Sequence, residues 1–341
     1  MRAAVVGAGI YGATIAVDLA RAGHQVDLYE RHRDLLHGAT RSNQARLHSG
    51  FHYPRSMATA LAAKADAARF AARFPNAVNR RNSHYYAIAS ERASLTSADD
   101  YLQFCERLDA GARVASVPSL LQGVQACVRV PEAVVNVTVV REQLRRELRH
   151  AGVAFHRDTD VDPEALEHDL VVVATYGRGW PAPLRWEVCE VALVNLGARY
   201  AFRSFVVLDG PFCSVDPLAD RAGHALYHVD ATVRAANVGL EPKIPDRLAH
   251  LLDRGPVPAP YSNLAGMLDG ARRFFRHLDD PAYLGSLFTV RAVLPDVDAT
   301  DERPTLYHRD GRLLHVLAGK IDGAPTAAER VVAMAGETVA V

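Results

Sequence analysis

Residues 1–30 constrain this chain more than any other stretch. An apolar run over 3–6 enters Gly7-Ala8-Gly9-Ile10-Tyr11-Gly12, helical spacing follows over 11–21, and a second apolar run over 25–29 ends on Glu30. Strand, turn, helix, strand and acid in that order predict a βαβ unit built to hold a dinucleotide. Gly7 permits the tight turn out of the strand, Gly9 lets backbone amides approach a pyrophosphate, and Gly12 lets helix and strand pack closely. Ile10 and Tyr11 open the helix, whose N-terminus offers unpaired N–H groups and a positive dipole end to phosphate. Glu30, with Arg31 beside it, stands eighteen residues after Gly12, near the ~20 expected of a carboxylate that binds ribose hydroxyls. A carboxylate there repels a 2′-phosphate, so the half-site suits FAD or NAD and disfavours NADP.

Length and charge narrow the partners. A chain of 341 residues has room for about two domains of ~100–200 residues each. Charged residues make up 23% of it with a formal net charge of zero, so it lacks the basic field that nucleic acid or an anionic membrane requires. A small-molecule substrate is the expected partner. Cys105, Cys127, Cys189 and Cys213 form no CxxC pair, which argues against a metal site, a redox dithiol or a disulfide framework. A reducing cytoplasm is expected. The first residues are strand and glycine turn rather than a cleavable leader, and without an apolar run of about 18 residues no stable membrane insertion is expected.

Farther along, residues 41–54 (RSNQARLHSGFHYP) are dense in donors and lack regular periodicity, which predicts a binding loop. Helices are predicted over 57–74, stopped by Pro75, over 101–108 and over 140–150, with a strand over 84–89. Leu170-Val171-Val172-Val173-Ala174 is an unbroken run of the kind buried on both faces of a parallel sheet. It ends in Thr175-Tyr176-Gly177, at the carboxyl end of a strand, where open α/β sheets bind ligands. Short alternating runs over 187–193, 201–208 and 225–229 predict an antiparallel sheet. A helix is predicted over 268–278, its 271–278 part apolar and basic. A hairpin over 304–308 and 313–318, the turn Gly319-Lys320-Ile321-Asp322-Gly323 and a helix over 326–335 close the chain.

The fingerprint ending in Glu30, the loop RSNQARLHSGFHYP, the strand-turn VVVATYG and the closing AGKIDG resemble the D-amino-acid-oxidase-like FAD oxidoreductases. That family includes glycine and sarcosine oxidases, glycerol-3-phosphate dehydrogenase and L-2-hydroxyglutarate dehydrogenase, and Asn43 with His48-Ser49-Gly50 looks most like the hydroxyacid and glycerol-phosphate branch. The resemblance implies an α/β fold: a Rossmann-type FAD-binding domain from residues 1–80, 130–185 and 285–341, and a second α+β substrate domain from 81–129 and 186–284, built on a mainly antiparallel sheet. It implies that Gly7, Gly9 and Gly12 hold the pyrophosphate, that Arg41, Ser42 and Asn43 line its flavin side, and that Ala174, Thr175 and Gly177 pass beside it. Gly319, Lys320, Ile321 and Gly323 would lie against the pyrimidine edge of the ring, where backbone donors and a lysine stabilise the charge of the reduced flavin. Tyr176 stands where the family has a small residue.

Such an enzyme transfers a hydride from a hydroxy acid, amino acid or related alcohol or amine to flavin N5. It needs a group to take the heteroatom proton and an anchor for the rest of the substrate. His48 and His52 lie in the loop expected to reach the ring, and a neutral imidazole suits a hydroxyl proton near pH 7; the alternative is a loop histidine bonded to backbone. Arg291 matches an arginine that clamps the substrate carboxylate in amino-acid oxidases, the alternative being a surface ion pair. Alternation lets only one of Tyr85 and Tyr86 face the ring. FAD is expected to be non-covalent: the cysteines all lie at or before residue 213, and His48 is the one attachment point. An NAD-dependent dehydrogenase or a non-catalytic flavin-binding protein are the competing readings. The residues do not specify the electron acceptor.

Overall fold

The computed structural model describes residues 1–91, 94–210, 212–252, 254–295 and 302–337. Strands β1 (Arg2–Val6), β2 (Gln25–Tyr29), β9 (Ala154–His156), β10 (Leu170–Val173), β17 (Leu306–Asp310) and β18 (Leu313–Leu317) form one sheet in the order β17-β18-β10-β1-β2-β9. Every neighbouring pair is parallel except the β17–β18 hairpin. The chain runs from β1 to β2 on one side and places β10 on the other, so the ends of β1 and β10 make the switch point at which such sheets bind ligands.

Helices α1 (Ile10–Arg21), α2 (Met57–Arg73), α4 (Val137–His150) and α8 (Ala324–Glu337) share one core with this sheet. Helix α1 is buried nearly all round because it is wedged between the sheet, α4 and α8, which explains its apolar sequence. Helix α4 buries only the stripe Val140, Leu144 and Leu148, and the Asn136 side chain caps it by accepting from the Val139 amide. Helix α2 ends at Arg73, before Pro75.

The second sheet contains β5 (Ser83–Ala89), β6 (Arg113–Val114), β7 (Val124–Val130), β11 (Leu184–Asn195), β12 (Arg203–Leu208), β13 (Cys213–Pro217), β14 (His224–His228), β15 (Val233–Gly239) and β16 (Ala282–Val293). Its order is β15-β11-β14-β13-β12-β5-β7-β6, with β16 along the other edge of β11. All pairs are antiparallel except β12 with β5, so the fold class is a Rossmann-like sheet with a second, mainly antiparallel α+β domain. A small sheet of β3 (Arg46–Leu47), β8 (Ala133–Val135) and β4 (Val78–Asn79) ties the loop after β2 to the start of α4. Helix α3 (Ala98–Leu108) packs against α2, and α5 (Val229–Thr232), α6 (Asp246–Ala249) and α7 (Leu264–Ala271) lie among the connections of the large sheet.

Two expectations are corrected. The helix predicted over 268–278 ends at Ala271. Residues 272–278 are turns whose Phe274, Phe275 and Leu278 are buried in the large-sheet core, so the apolar-basic spacing reflects a packed turn with arginines outside rather than an amphipathic surface helix. The boundary drawn at 285 falls inside β16, which pairs with β11 along its length and belongs to the large sheet.

Candidate active site

At the switch point, Gly7 has φ +97°, and a Cβ there would lie 2.7 Å from the carbonyl oxygen of Ala174. A Cβ on Gly12 would come within 1.8 Å of the Gly7 carbonyl oxygen. Both glycines therefore serve the packing of helix on strands. Gly9 differs: its added Cβ would meet only Thr40 Oγ1, at 3.7 Å. That open cradle at the N-terminus of a buried helix fits a pyrophosphate. Thr40 Oγ1 accepts from the Ile10 amide at 3.2 Å, a contact that sequence reasoning missed because threonine carries no motif signal there.

Glu30 is buried, and its carboxylate accepts from the amides of Ala8 at 2.7 Å and His32 at 3.0 Å. Two lone-pair positions remain for ribose hydroxyls. Arg31, at the surface, donates to the His32 ring. Ser42 is buried, while Arg41 lines a cavity of about 1000 Å³ that extends along α4 to Leu193 and Leu287 of the large sheet. The Asn43 side chain is spent on its own loop, donating to the Ala39 and Thr40 carbonyls and accepting from the Ala45 amide.

The loop 41–56 is fastened to the large sheet by side chains. Gln44 donates to Ser214 Oγ at 2.7 Å, and Arg55 Nε donates to Asp209 at 2.8 Å. Arg46 donates to Asp216 and to Ser204 and lies 3.7 Å from Glu132. Arg46, Asp216 and Glu132 side chains are at most 1% exposed. Separating a buried guanidinium from its carboxylates strands an uncompensated charge, so this network fixes the loop even though Arg46 Nη1 and Asp216 Oδ2 lack hydrogen-bond partners among the described residues. Sequence reasoning missed it, because its members lie up to 170 residues apart. Only the density of donors in the loop pointed to it.

Along that loop the rings gather. His48 and His52 have centroids 5.2 Å apart, with Tyr53 and Tyr86 beside them. Of the two strand tyrosines Tyr86 faces this cluster, and Tyr85 stacks on Phe205 on the opposite face. The Tyr86 hydroxyl donates to Glu132 at 2.9 Å and lies 3.4 Å from His48 Nδ1, and the other Glu132 oxygen accepts from the Ser49 amide at 2.8 Å. Burial first, then Lys320 and other cations, holds His48 well below its ordinary range and pushes His52 down to about 3. Both are neutral at pH 7. Burial also raises Glu132, against the pull of Arg46 and its hydrogen bonds.

Lys320 enters the same cluster from the closing turn. Its Nζ sits 3.5 Å from the centre of the Tyr53 ring, and among the described residues no hydrogen-bond partner reaches this buried atom. Burial pushes it down to about 8, while Asp322, itself raised by burial to about 6, pulls the other way. A buried ammonium lacking acceptors awaits one. Tyr11 braces the turn by donating to the Lys320 carbonyl at 2.6 Å, with Thr305 Oγ1 at 3.0 Å. A Cβ on Gly323 would collide with the Tyr11 hydroxyl at 2.6 Å, and one on Gly319 with the Arg303 carbonyl at 2.3 Å. Ile321 packs against the Rossmann core.

Arg291 lies in a second group. It stands opposite Glu187 across β11 and β16, donating to it through Nε at 2.8 Å, and its Nη1 is 3.4 Å from the Tyr227 hydroxyl. Arg185 also donates to Glu187, at 2.9 Å, so the three side chains keep one net positive charge. Arg291 is thus engaged in an ion pair and remains partly exposed. Next to it Tyr176 adopts φ +57°, and Gly177, at φ +95°, packs where a Cβ would strike Leu184 and Ala292. Ala174 closes the strand beside Gly7, and the Thr175 hydroxyl donates to the Arg178 carbonyl at 2.7 Å.

The sequence profile of the FAD dependent oxidoreductase family (DAO) matches residues 2–182, more than half of the chain. The FAD-dependent monooxygenase FPY4 of Fusarium mangiferae is 27% identical over 97% of this chain and 90% of its own length. The FAD-dependent monooxygenase kojA of Aspergillus flavus is 25% identical over 97% of this chain and 85% of its own. Among solved structures, glycine oxidase from Geobacillus kaustophilus superposes with a TM-score of 0.74 at 14% identity, covering 98% of this chain and 95% of that one. The FAD-bound L-alpha-glycerophosphate oxidase of Mycoplasma pneumoniae gives 0.72 at 13% identity, covering 98% and 94%. At such identities these structures speak for the fold alone.

Proposed function

This chain belongs to the FAD dependent oxidoreductase family, and from that premise we propose that it oxidises the alcohol carbon of a small hydroxy acid or a related polar alcohol. It is a flavoenzyme whose cofactor is FAD, held non-covalently, and the competing NAD reading falls away with the family match. Bound FAD supplies the two-electron acceptor for a hydride. The residues that fit it are the Gly9 cradle, Glu30 with its spare lone pairs, and the Lys320 ammonium, which has no acceptor among the described residues.

One observation favours an alcohol over an amine: burial keeps His48 and His52 neutral beside Lys320. A neutral imidazole accepts a hydroxyl proton directly. An amine arrives protonated at pH 7 and must lose that proton before its carbon can give up a hydride. Arg291 Nη1, directed at Tyr227 on the same sheet face, supports a role in holding a carboxylate. Resemblance of the loop to the hydroxyacid and glycerol-phosphate branch points the same way. Anaerobic mixing of the yellow protein with hydroxy acids, polyols and amino acids tests this, read at the flavin band. Bleaching by hydroxy compounds is expected; bleaching by amino acids alone would reverse the assignment.

The names of the fungal relatives carry a second reading, monooxygenation. That reaction consumes dioxygen and an external reductant, and leaves one oxygen atom in the product. Isotopically labelled dioxygen distinguishes the two, since simple oxidation of the alcohol leaves the product unlabelled. Among the described residues no helix is long and apolar enough to cross a membrane. The four cysteines are free and buried, which supports a reducing cytoplasm.

A further inference from the structure

We propose that Glu132 and Tyr86 act as positioning residues that lock His48 in the tautomer with its proton on Nδ1, leaving the Nε2 lone pair to take the substrate proton. The inference rests on the reading of His48 as the base and goes beyond it by naming the atom that accepts and the residues that prepare it. It begins with a single proton. The Tyr86 oxygen has three polar neighbours, Glu132 Oε2 at 2.9 Å, His48 Nδ1 at 3.4 Å and the Arg46 guanidinium, which can only donate, and it has only one hydrogen to give. Without a hydrogen, the shorter contact would press two oxygen lone pairs together. Glu132 is an acceptor on both oxygens: Oε1 takes the Ser49 amide, and Arg46 lies 3.7 Å from Oε2. The Tyr86 hydrogen therefore points to Glu132, and the Tyr86 oxygen turns a lone pair toward His48. For the longer contact to be attractive, Nδ1 must carry the hydrogen.

Two further observations bear on this. No hydrogen bond from a described side chain or amide reaches His48 Nε2, and His48 is only partly buried, so that edge of the ring faces the open side of the cluster. The groups facing the ring are Tyr86, Tyr53, His52, His84, Arg46 and Lys320; Glu132 is reached only through Tyr86. In the step itself the substrate O–H bond breaks, an Nε2–H bond forms, and the electron pair stays on the substrate oxygen. The imidazolium so formed keeps Nδ1–H directed at Tyr86, and the Glu132 carboxylate behind it offsets charge that Lys320 and Arg46 would otherwise repel.

The test reads the proton without turnover. In the FAD-loaded protein labelled with ¹⁵N at histidine, two-bond correlations distinguish a ring nitrogen that bears hydrogen from one that does not, and the spectrum of His48→Gln identifies the His48 signals. The expected result is a protonated Nδ1 and an unprotonated Nε2 in the unsubstituted protein. Tyr86→Phe should abolish that preference and lower kcat roughly tenfold at unchanged FAD content. Glu132→Gln, which can donate to the Tyr86 oxygen, should move the proton toward Nε2. A proton on Nε2 in the unsubstituted protein would overturn the proposal whether or not the variants fold, and an unchanged His48 signal in a folded Tyr86→Phe would remove Tyr86 from it. If alcohols fail to bleach the flavin while the tautomer is as stated, it is the substrate reading that falls.

Discussion

Gly9 and Gly12 are three residues apart and respond to an added side chain for different reasons. At Gly9 the space is open, so Gly9→Val should purify colourless, because its branches fill the phosphate cradle, and should melt with the midpoint of the FAD-free unsubstituted protein. At Gly12 a Cβ meets backbone at 1.8 Å, so Gly12→Ala should yield an unstable protein, as scored by soluble yield and melting. Loss of colour without further loss of stability at Gly9 is the result that separates binding from packing. The buried histidines carry a second residue-scale consequence, for acid stability. His52 has an unfolded value near 6.5 and is pushed down to about 3 when folded, so the unfolded chain binds more protons between those limits. Its contribution to stability is complete above about pH 6.5 and is lost as pH falls toward 3, amounting to roughly 2 kcal/mol between pH 6.5 and 5. His52→Asn should flatten the fall in urea midpoint of the FAD-free protein over that interval, with the remaining slope in the same direction coming from the other depressed histidines, His48 and His84 foremost.

At the scale of elements, the loop 41–56 owes its shape to partners on the large sheet. Arg46 is the central tie, and Asp216 on β13 is its nearest carboxylate. Asp216→Ala strands a buried guanidinium with only Glu132 and Ser204, and the expected loss is about 3–5 kcal/mol in urea unfolding. Replacing exposed Asp269, whose partner Arg272 is also exposed, should cost less than about 1 kcal/mol. Equal effects at the two sites would mean that the buried network is not what fastens the loop. The helices were legible because their spacing and stops are local: α4 shows its stripe and Gly152 in sequence, whereas its first turn, capped by Asn136, precedes the predicted start at 140. Residues 268–278 misled for the same reason, since Phe274, Phe275 and Leu278 sit at helical spacing although it is tertiary packing that buries them.

For the whole molecule, the proposed FAD site draws on both parts of the fold: the Rossmann part contributes the Gly9 cradle, Glu30 and the closing turn with Lys320, and the loop pinned to the large sheet contributes the rings. Acid denaturation should therefore release all the yellow colour to the supernatant. A yellow pellet that turns colourless in His48→Ala would instead make His48 a covalent tether. The N-terminal fingerprint, the closing turn and the two kinds of strand pattern were readable from sequence, because each depends on residues within about thirty positions of one another, whereas FAD rather than NAD followed only from the resemblance of segments far apart in the chain. The Arg46–Asp216–Glu132 network, the choice of Tyr86 over Tyr85, the cation–π seat of Lys320 on Tyr53 and the pairing of Arg291 with Glu187 were decided only by the tertiary structure. Each is a charge or hydroxyl whose partner lies tens to hundreds of residues away, and the cost of burying it alone is met only after β5, β8, β11 and β13 have been brought together.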